Sequence, residues 1–319
     1  MKNTSDKSAL TVTFVYILVF ITSAFSAPLN NKNTFLALDT SVQKKSEVVA
    51  DNAKPQLISK QFSFTEGPAV DKKGNIFFTD QPNDQIWEYD INGKLAVFMN
   101  KSGRSNGLYF DKKGNLVACA DEHDQLWQIS PKGKIKVLVK NLGGKLLNGP
   151  NDLWIDAKGG IYITDPYYQR DYWTRKKPDL NGQKVYYLPK GKKELVLVAD
   201  NLKQPNGIVG TPDGKTMYIA DIGDNKTYKY RITAEGKLTN RQLFTPQGAD
   251  GMTLDNQGDL YLAGNGITVF NSAGKQIEHI NIPAKWTANL CFGGKNRDQL
   301  LITASENLYL LQMKVKGVE

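Results

Sequence analysis

From about residue 55 onward, apolar and polar positions alternate in short runs, and each run stops at a turn carrying Gly, Asn, Asp or Pro. A period of two puts one face of a strand inward and the other toward water. The pattern also returns as a unit. "EGPAVDKKGNIFFTD" starts at Glu66, "NGLYFDKKGNLVACAD" at Asn106 and "NDLWIDAKGGIYITD" at Asn151. "NGIVGTPDGKTMYIAD" starts at Asn206, "DGMTLDNQGDLYLAG" at Asp250, and a weaker "NLCFGGKNRDQLLITA" at Asn289. The first five units share a glycine eight positions on, at Gly74, Gly114, Gly159, Gly214 and Gly258. Two apolar runs around such a glycine predict a β-hairpin, because glycine accepts the left-handed backbone that a Cβ opposes.

A third run follows, at the same offset in the first two units as "DQIWEYD" and "DQLWQIS", with "KVYYLPK" and "KTYKYRI" as counterparts, and a fourth after it, as in "KLAVFMN", "KIKVLVK", "ELVLVAD" and "RQLFT". Four strands, repeated six times at separations of 40, 45, 55, 44 and 39 residues, predict an all-β six-bladed β-propeller with four-stranded blades around a central channel. The last unit ends on "NLYLLQMKV", a third strand. A strand within "PQLISKQFSF" (55–64) is expected to complete that blade and join the ends of the ring. The expected organisation is a signal peptide over 1–27, a polar lead-in over 28–50 and one propeller over 51–316, without a helix of ordinary length.

The first residues change the picture of location. Lys2 and Lys7 precede the apolar "ALTVTFVYILVFITSAFSA", whose small residues fit cleavage around 24–27. Periplasmic or secreted export is expected, with an uncleaved anchor as the competing reading, and no stable membrane insertion after signal removal. The net charge of +9 sits largely on lysines in turns such as "DKKGN", "PKGKIK" and "PKGKKE". No basic stripe with interleaved aromatics runs along the chain, so nucleic acid is not an expected partner. Cys119 and Cys291, each in an apolar run, read as buried thiols, although export leaves a disulfide open. The oligomeric state is not encoded in any of these features.

The six unit starts are all oxygen-bearing: Glu66, Asn106, Asn151, Asn206, Asp250 and Asn289. Innermost strands line a propeller's channel, so equivalent positions converge on its axis. Two carboxylates among four amides call for a counter-charge, and hard oxygen donors suit Ca²⁺ or a similar divalent ion. The competing reading is a water-bridged polar channel. Two histidines, without HExxH or CxxC spacing, disfavour zinc.

The pieces "FTEGP", "GRSNGL", "LNGPNDL", "TDPYY", "PNGI", "GADGM" and "ANLCFGG", in this order over about residues 55–312, resemble the SMP-30/gluconolactonase/LRE family of calcium-dependent lactonases, and most of all its bacterial gluconolactonase branch. The resemblance implies one catalytic divalent ion on the axis, most simply Ca²⁺ with Mg²⁺, Mn²⁺ or Zn²⁺ as alternatives. It implies Glu66, Asn151, Asn206 and Asp250 as its ligands, although in some members the asparagine matching Asn151 mainly contacts substrate. An arginine that some relatives carry two residues earlier is replaced here by Gly149.

The implied reaction is hydrolysis of a small-molecule sugar lactone by water, with the carbonyl polarised by the cation. Asp250 matches the family's acid/base residue. Asp152 is a second catalytic candidate, and its alternative role is a structural carboxylate at the strand entrance. Asn106, Arg104, His123, Tyr167 and Tyr168 are the candidate substrate contacts. The extra "PYYQRDYWTRKKPDLNGQ" of the third unit, with Trp173, reads as either a sugar-facing lid or a surface loop with buried aromatics.

Two local motifs carry no weight. "GRSNG" matches a nucleophile elbow but leads into a hairpin rather than a helix, and "GTPDGKT" sits on a hairpin turn. The competing functional classes are another lactonase or phosphotriesterase on the same site, and a non-catalytic exported binding scaffold.

Overall fold

The structure is a computed structural model that describes residues 45–319. The expected signal peptide and most of the expected lead-in lie outside the described residues. The chain forms six four-stranded antiparallel sheets, each built in simple up-and-down order. The innermost strands are Thr65–Val70, Ser105–Phe110, Leu153–Ile155, Pro205–Gly210, Met252–Leu254 and Asn289–Gly293. The six-bladed propeller read from the repeats is therefore the fold. Among the described residues helix is limited to two single 3-10 turns, Asp121–His123 and Ile222–Asp224. None of the described helices is long and apolar enough to cross a membrane.

The ring closes as the sequence suggests. Gln56–Ser59 pairs antiparallel with Asn307–Gln312, as the outermost strand of the sixth blade. A few residues before it join the same blade: Val48 is buried, and Val49 bridges to Met313. At the other end Gly317 donates its N–H to the Arg297 carbonyl, so packing continues past 316.

Four of the six inner hairpin turns, those of blades one, two, three and five, are each built around an aspartate. Asp71 Oδ1 accepts the N–H groups of Lys73, Gly74 and Asn75 at 2.8–2.9 Å, and Gly74 takes a φ of +100°. Asp111 and Asp156 do the same in the next two blades. An aspartate bonding backbone two to four residues on is the Asx-turn chemistry that disfavours strand continuation.

Inward faces of neighbouring blades pack on one another. Tyr162 and Tyr187 of the third blade meet Met217 and Tyr218 of the fourth in one buried cluster. Full burial of side chains such as Ile163 or Met217 is worth about 1.5–3 kcal/mol each. Cys119 and Cys291 are free, buried thiols, and burial pushes both well above the usual thiol range. Ser105 donates its hydroxyl to the Ser102 carbonyl at 2.7 Å from within a strand, which is no nucleophile geometry. "GTPDGKT" forms the hairpin turn closed by Gly214 N–H on the Thr211 carbonyl.

In an up-and-down blade the turns between strands one and two, and three and four, fall on one face of the disc. The starts of the inner strands fall on the other. All six unit starts therefore share one face and one height.

Candidate functional site

The six unit starts are all buried. What lets them approach is the residue after each. Gly67 has a φ of +32°, and a Cβ there would stand 2.1 Å from the Asn106 carbonyl oxygen. Gly107 donates its N–H to the Asn151 carbonyl at 2.7 Å, and Gly251 donates to Ala288 at 2.7 Å. A Cβ on Gly207 would lie 2.4 Å from the Asp250 carbonyl oxygen, and one on Gly251 2.0 Å from the Asn289 carboxamide. Four glycines thus let four of the six blades lean on the next at the axis.

In the third blade the same position is Asp152. Its Oδ1 accepts Leu153 N–H at 2.9 Å and its Oδ2 accepts Ile208 N–H of the fourth blade at 3.3 Å. Both oxygens are engaged by backbone, which is the geometry of the structural role weighed for it. Burial pushes its pKa up to about 7, against the pull of those two N–H groups.

The two ring carboxylates feel one another. Burial, first, and then the Asp250 charge hold the Glu66 carboxyl well above the usual range. Burial pushes Asp250 up to about 6, opposed by hydrogen bonds from Trp286 and Asn206 and by the Arg170 charge. Glu66 Oε2 accepts Gly67 N–H at 3.0 Å. Asn289 bonds Glu66 with its side chain while its Oδ1 accepts Leu290 N–H at 2.8 Å, so it acts as a donor that orients Glu66. Asn206 donates Nδ2 to Tyr168 Oη at 3.0 Å. Asn151 makes no side-chain hydrogen bond among the described residues, and Asn106 Oδ1 is buried without a partner.

Orphaned acceptors cost about 1–3 kcal/mol each when nothing meets them. Two repelling carboxylates beside ring carboxamides, one with an unpartnered oxygen, fit a hard cation. Among the described residues no group of three or more His, Cys, Asp or Glu side chains is placed to hold a metal ion. The candidate donor set instead mixes carboxylate with amide oxygen.

A second tier of carboxylates aims the ring. Asp80 Oδ1 accepts the N–H groups of Ser63 and Phe64 at 3.1 Å. Asp165 accepts those of Asn148 and Gly149 at 3.0 Å, and Asp221 those of Lys203 and Gln204 at 2.8 Å. In each blade these are the amides three and two residues before the ring position. The signal was present in the sequence, since an aspartate ends or directly follows the second apolar run of four repeats, at 80, 121, 165 and 221.

In the second blade Asp121 is diverted. Asp84 Oδ1 takes over the Arg104 N–H at 2.7 Å, and Asp121 receives the third-blade insertion instead. Its carboxylate accepts from Arg170 Nε at 3.0 Å and from the Tyr172 hydroxyl, and its carbonyl from Trp173 Nε1 at 3.1 Å. Arg175 binds Asp124 and the Asn148 carbonyl and stacks over Trp173 at 4.0 Å.

The candidate substrate contacts divide accordingly. Tyr168 reaches the ring through Asn206, and the Asp250 and Glu66 charges add to the burial that pushes its hydroxyl up to about 12. Tyr167 packs on Trp173 and Arg175 inside the insertion. Trp173 is 4% exposed, so it is the insertion's own core rather than a sugar-facing wall. Arg104, at a φ of +46°, lies with its guanidinium 4.8 Å from the Tyr172 ring centre. His123 is exposed and stacks on Trp127 of the second blade, a place set by that blade's third strand rather than by the ring.

Two residues of the site escaped the sequence reading. Trp286 donates Nε1 to Asp250 Oδ2 at 2.7 Å and fixes that carboxylate. Arg170, within the insertion, lies 5.4 Å from the Tyr168 ring centre, and its charge acts on Asp250. Neither falls on a repeated position.

Comparison with known proteins agrees with this architecture. A gluconolactonase of Zymomonas mobilis is 28% identical, over 93% of this chain and 92% of its own. A lactonase drp35 of Staphylococcus saprophyticus is 26% identical over 80% and 82%. The structure of a gluconolactonase from Xanthomonas campestris superposes with a TM-score of 0.77 at 27% identity, covering 83% of this chain and 91% of that one. A calcium-binding regucalcin from Agrobacterium tumefaciens shares the fold, with a TM-score of 0.70 at 20% identity over 83% and 95%. The family model described as SMP-30/Gluconolactonase/LRE-like region matches residues 64–306, and the chain belongs to that family.

Proposed function

We propose that the chain hydrolyses a sugar lactone, gluconolactone first, with a divalent cation, Ca²⁺ first, held by Glu66, Asn151, Asn206 and Asp250. The observation that carries this is the convergence of the two buried, mutually repelling carboxylates with the ring carboxamides, one of which, Asn106, has a buried Oδ1 without a partner. Full-length similarity to a gluconolactonase supports the substrate class.

When bound, the cation supplies a Lewis acid for the lactone carbonyl oxygen. Trp286 and Asn206 both donate to the Asp250 carboxylate and hold it at the axis, where it faces ligand or water as the acid/base group. Asn106, with its free Oδ1, accepts a substrate hydroxyl. Tyr168, steadied by Asn206, forms the wall beneath the insertion, which keeps bulk water from that side.

The reading includes export, supported by Lys2, Lys7 and the apolar run that follows, and a small molecule as the partner. The test is hydrolysis of glucono-1,5-lactone by purified protein. EDTA is expected to abolish it and Ca²⁺ or another divalent ion to restore it. Full activity after confirmed metal removal overturns the cation, and no activity on a panel of lactones and phosphotriesters overturns the enzyme.

A further inference from the structure

The turn lysines that the propeller repeat left unexplained come together in space. A groove of about 1100 Å³ runs between the second and third blades. Six of its lysines stand on hairpin turns: Lys112 and Lys113 in the second blade, and Lys158, Lys190, Lys192 and Lys193 in the third. Lys136 on the second blade's outer strand, Ile135–Val139, and Lys140 just after it flank the groove. All eight are exposed. None makes an ion pair among the described residues. Lys112 and Lys158 bond only the carbonyls of Ala157 and Ala234.

The charge distribution makes the groove unusual. The chain's net charge is +9, and residues 1–44 hold four lysines against two aspartates. The remaining surplus of +7 equals that of the groove, whose lining has eight lysines against the single acid Asp111. The rest of the propeller is therefore charge-balanced, and its whole excess lies along one gap between blades. Uncompensated like charges repel, and such a concentration is an electrostatic attractor for an anion.

The floor selects among anions. It is aliphatic, with Val117, Val137, Leu138 and Ile155, and Val137 is 45% exposed on a strand whose next neighbour, Leu138, is half-buried. The lining holds no aromatic ring on which a base could stack and no arginine fork for a bidentate phosphate contact. An apolar floor under a lysine rim suits a molecule with an apolar chain and an anionic head.

We propose that this groove binds anionic phospholipid and holds the protein at an anionic membrane surface. The six turn lysines lie on the face opposite the candidate site, so the bound protein keeps that site open to solvent. Peripheral binding of this kind needs no membrane-spanning segment.

The experiment is flotation of the full chain with vesicles of phosphatidylcholine alone or with phosphatidylglycerol. Wild type is expected to float only with the phosphatidylglycerol vesicles and to be released by high salt. The sextuple variant K112Q/K113Q/K158Q/K190Q/K192Q/K193Q is expected to lose at least tenfold in bound fraction while keeping its melting temperature and lactonase rate. Residues 1–44 are unchanged in it, so binding through them would persist and overturn the proposal. Val137→Asn, which leaves the charge intact, is expected to weaken binding severalfold; unchanged binding would remove the apolar floor from the argument. Retention on soluble dextran sulfate without vesicle binding would also overturn the assignment, in favour of a soluble polyanion.

Discussion

The indole of Trp286 decides how Asp250 can act. One carboxylate oxygen is tied to Nε1 at 2.7 Å, and a hydrogen bond to a charged group is worth about 1.5–3 kcal/mol. Trp286→Phe keeps the ring and removes the donor. Its kcat is expected to fall at least about tenfold, with KM changing less, because the carboxylate loses its aim rather than its pocket. Steady-state kinetics on the loaded enzyme checks this, and a pure KM effect would make Trp286 a substrate wall instead. The ring residues themselves were legible from sequence because six units repeat and one column stays oxygen-bearing. Trp286 was not, since it has no counterpart in the other blades and its meaning depends on which carboxylate it faces. Asp152 shows the limit from the other side. Its column was visible, but only the structure shows Ile208 N–H of the next blade on its second oxygen.

The element that distinguishes this propeller is the third-blade insertion, and it is latched rather than loose. Asp121 gives up the role that Asp80, Asp165 and Asp221 play in their blades and takes Arg170, Tyr172 and Trp173. Asp121→Ala should free the insertion while leaving the sheets intact. The expected result is cleavage within 166–182 under limited proteolysis, together with a severalfold rise in KM. An unchanged digestion pattern would show that Arg175 on Asp124 and Asn148 suffices. The strands around it were readable from the period of two and the Asp-to-Gly turns. The latch was not, because Asp121 and Arg170 are 49 residues apart and no local pattern links them.

At the scale of the molecule, the described propeller carries buried acids that prefer their protons. Asp165 is pushed up to about 7 by burial, although Asn148 and Gly149 N–H groups pull it down. Its folded value lies above its unfolded one, so the folded state binds the extra proton. That stabilisation is present at low pH and is lost as pH rises from about 4 through about 7. Cation-free protein is expected to melt at a higher temperature near pH 5.5 than near pH 8, with the difference shrinking in Asp165→Asn. The fold was legible at this scale because the repeat is long and regular. The lysine groove was not: its lysines come from three separate turns and an outer strand with its end, and the sequence showed only short, scattered charge runs.

Where the disc closes, Thr65 N–H meets the Ser305 carbonyl at 2.8 Å, and Glu66 one residue later meets the Asn289 side chain. The first and last blades therefore abut at the proposed cation site. A cation shared by Glu66 and Asp250 would clasp the seam from the inside, while Gln56–Ser59 stitches it from the rim. Chelation is then expected to speed amide deuterium uptake at 56–59 and 305–312 ahead of the middle blades. Uniform uptake around the disc would mean that the clasp and the stitch work independently.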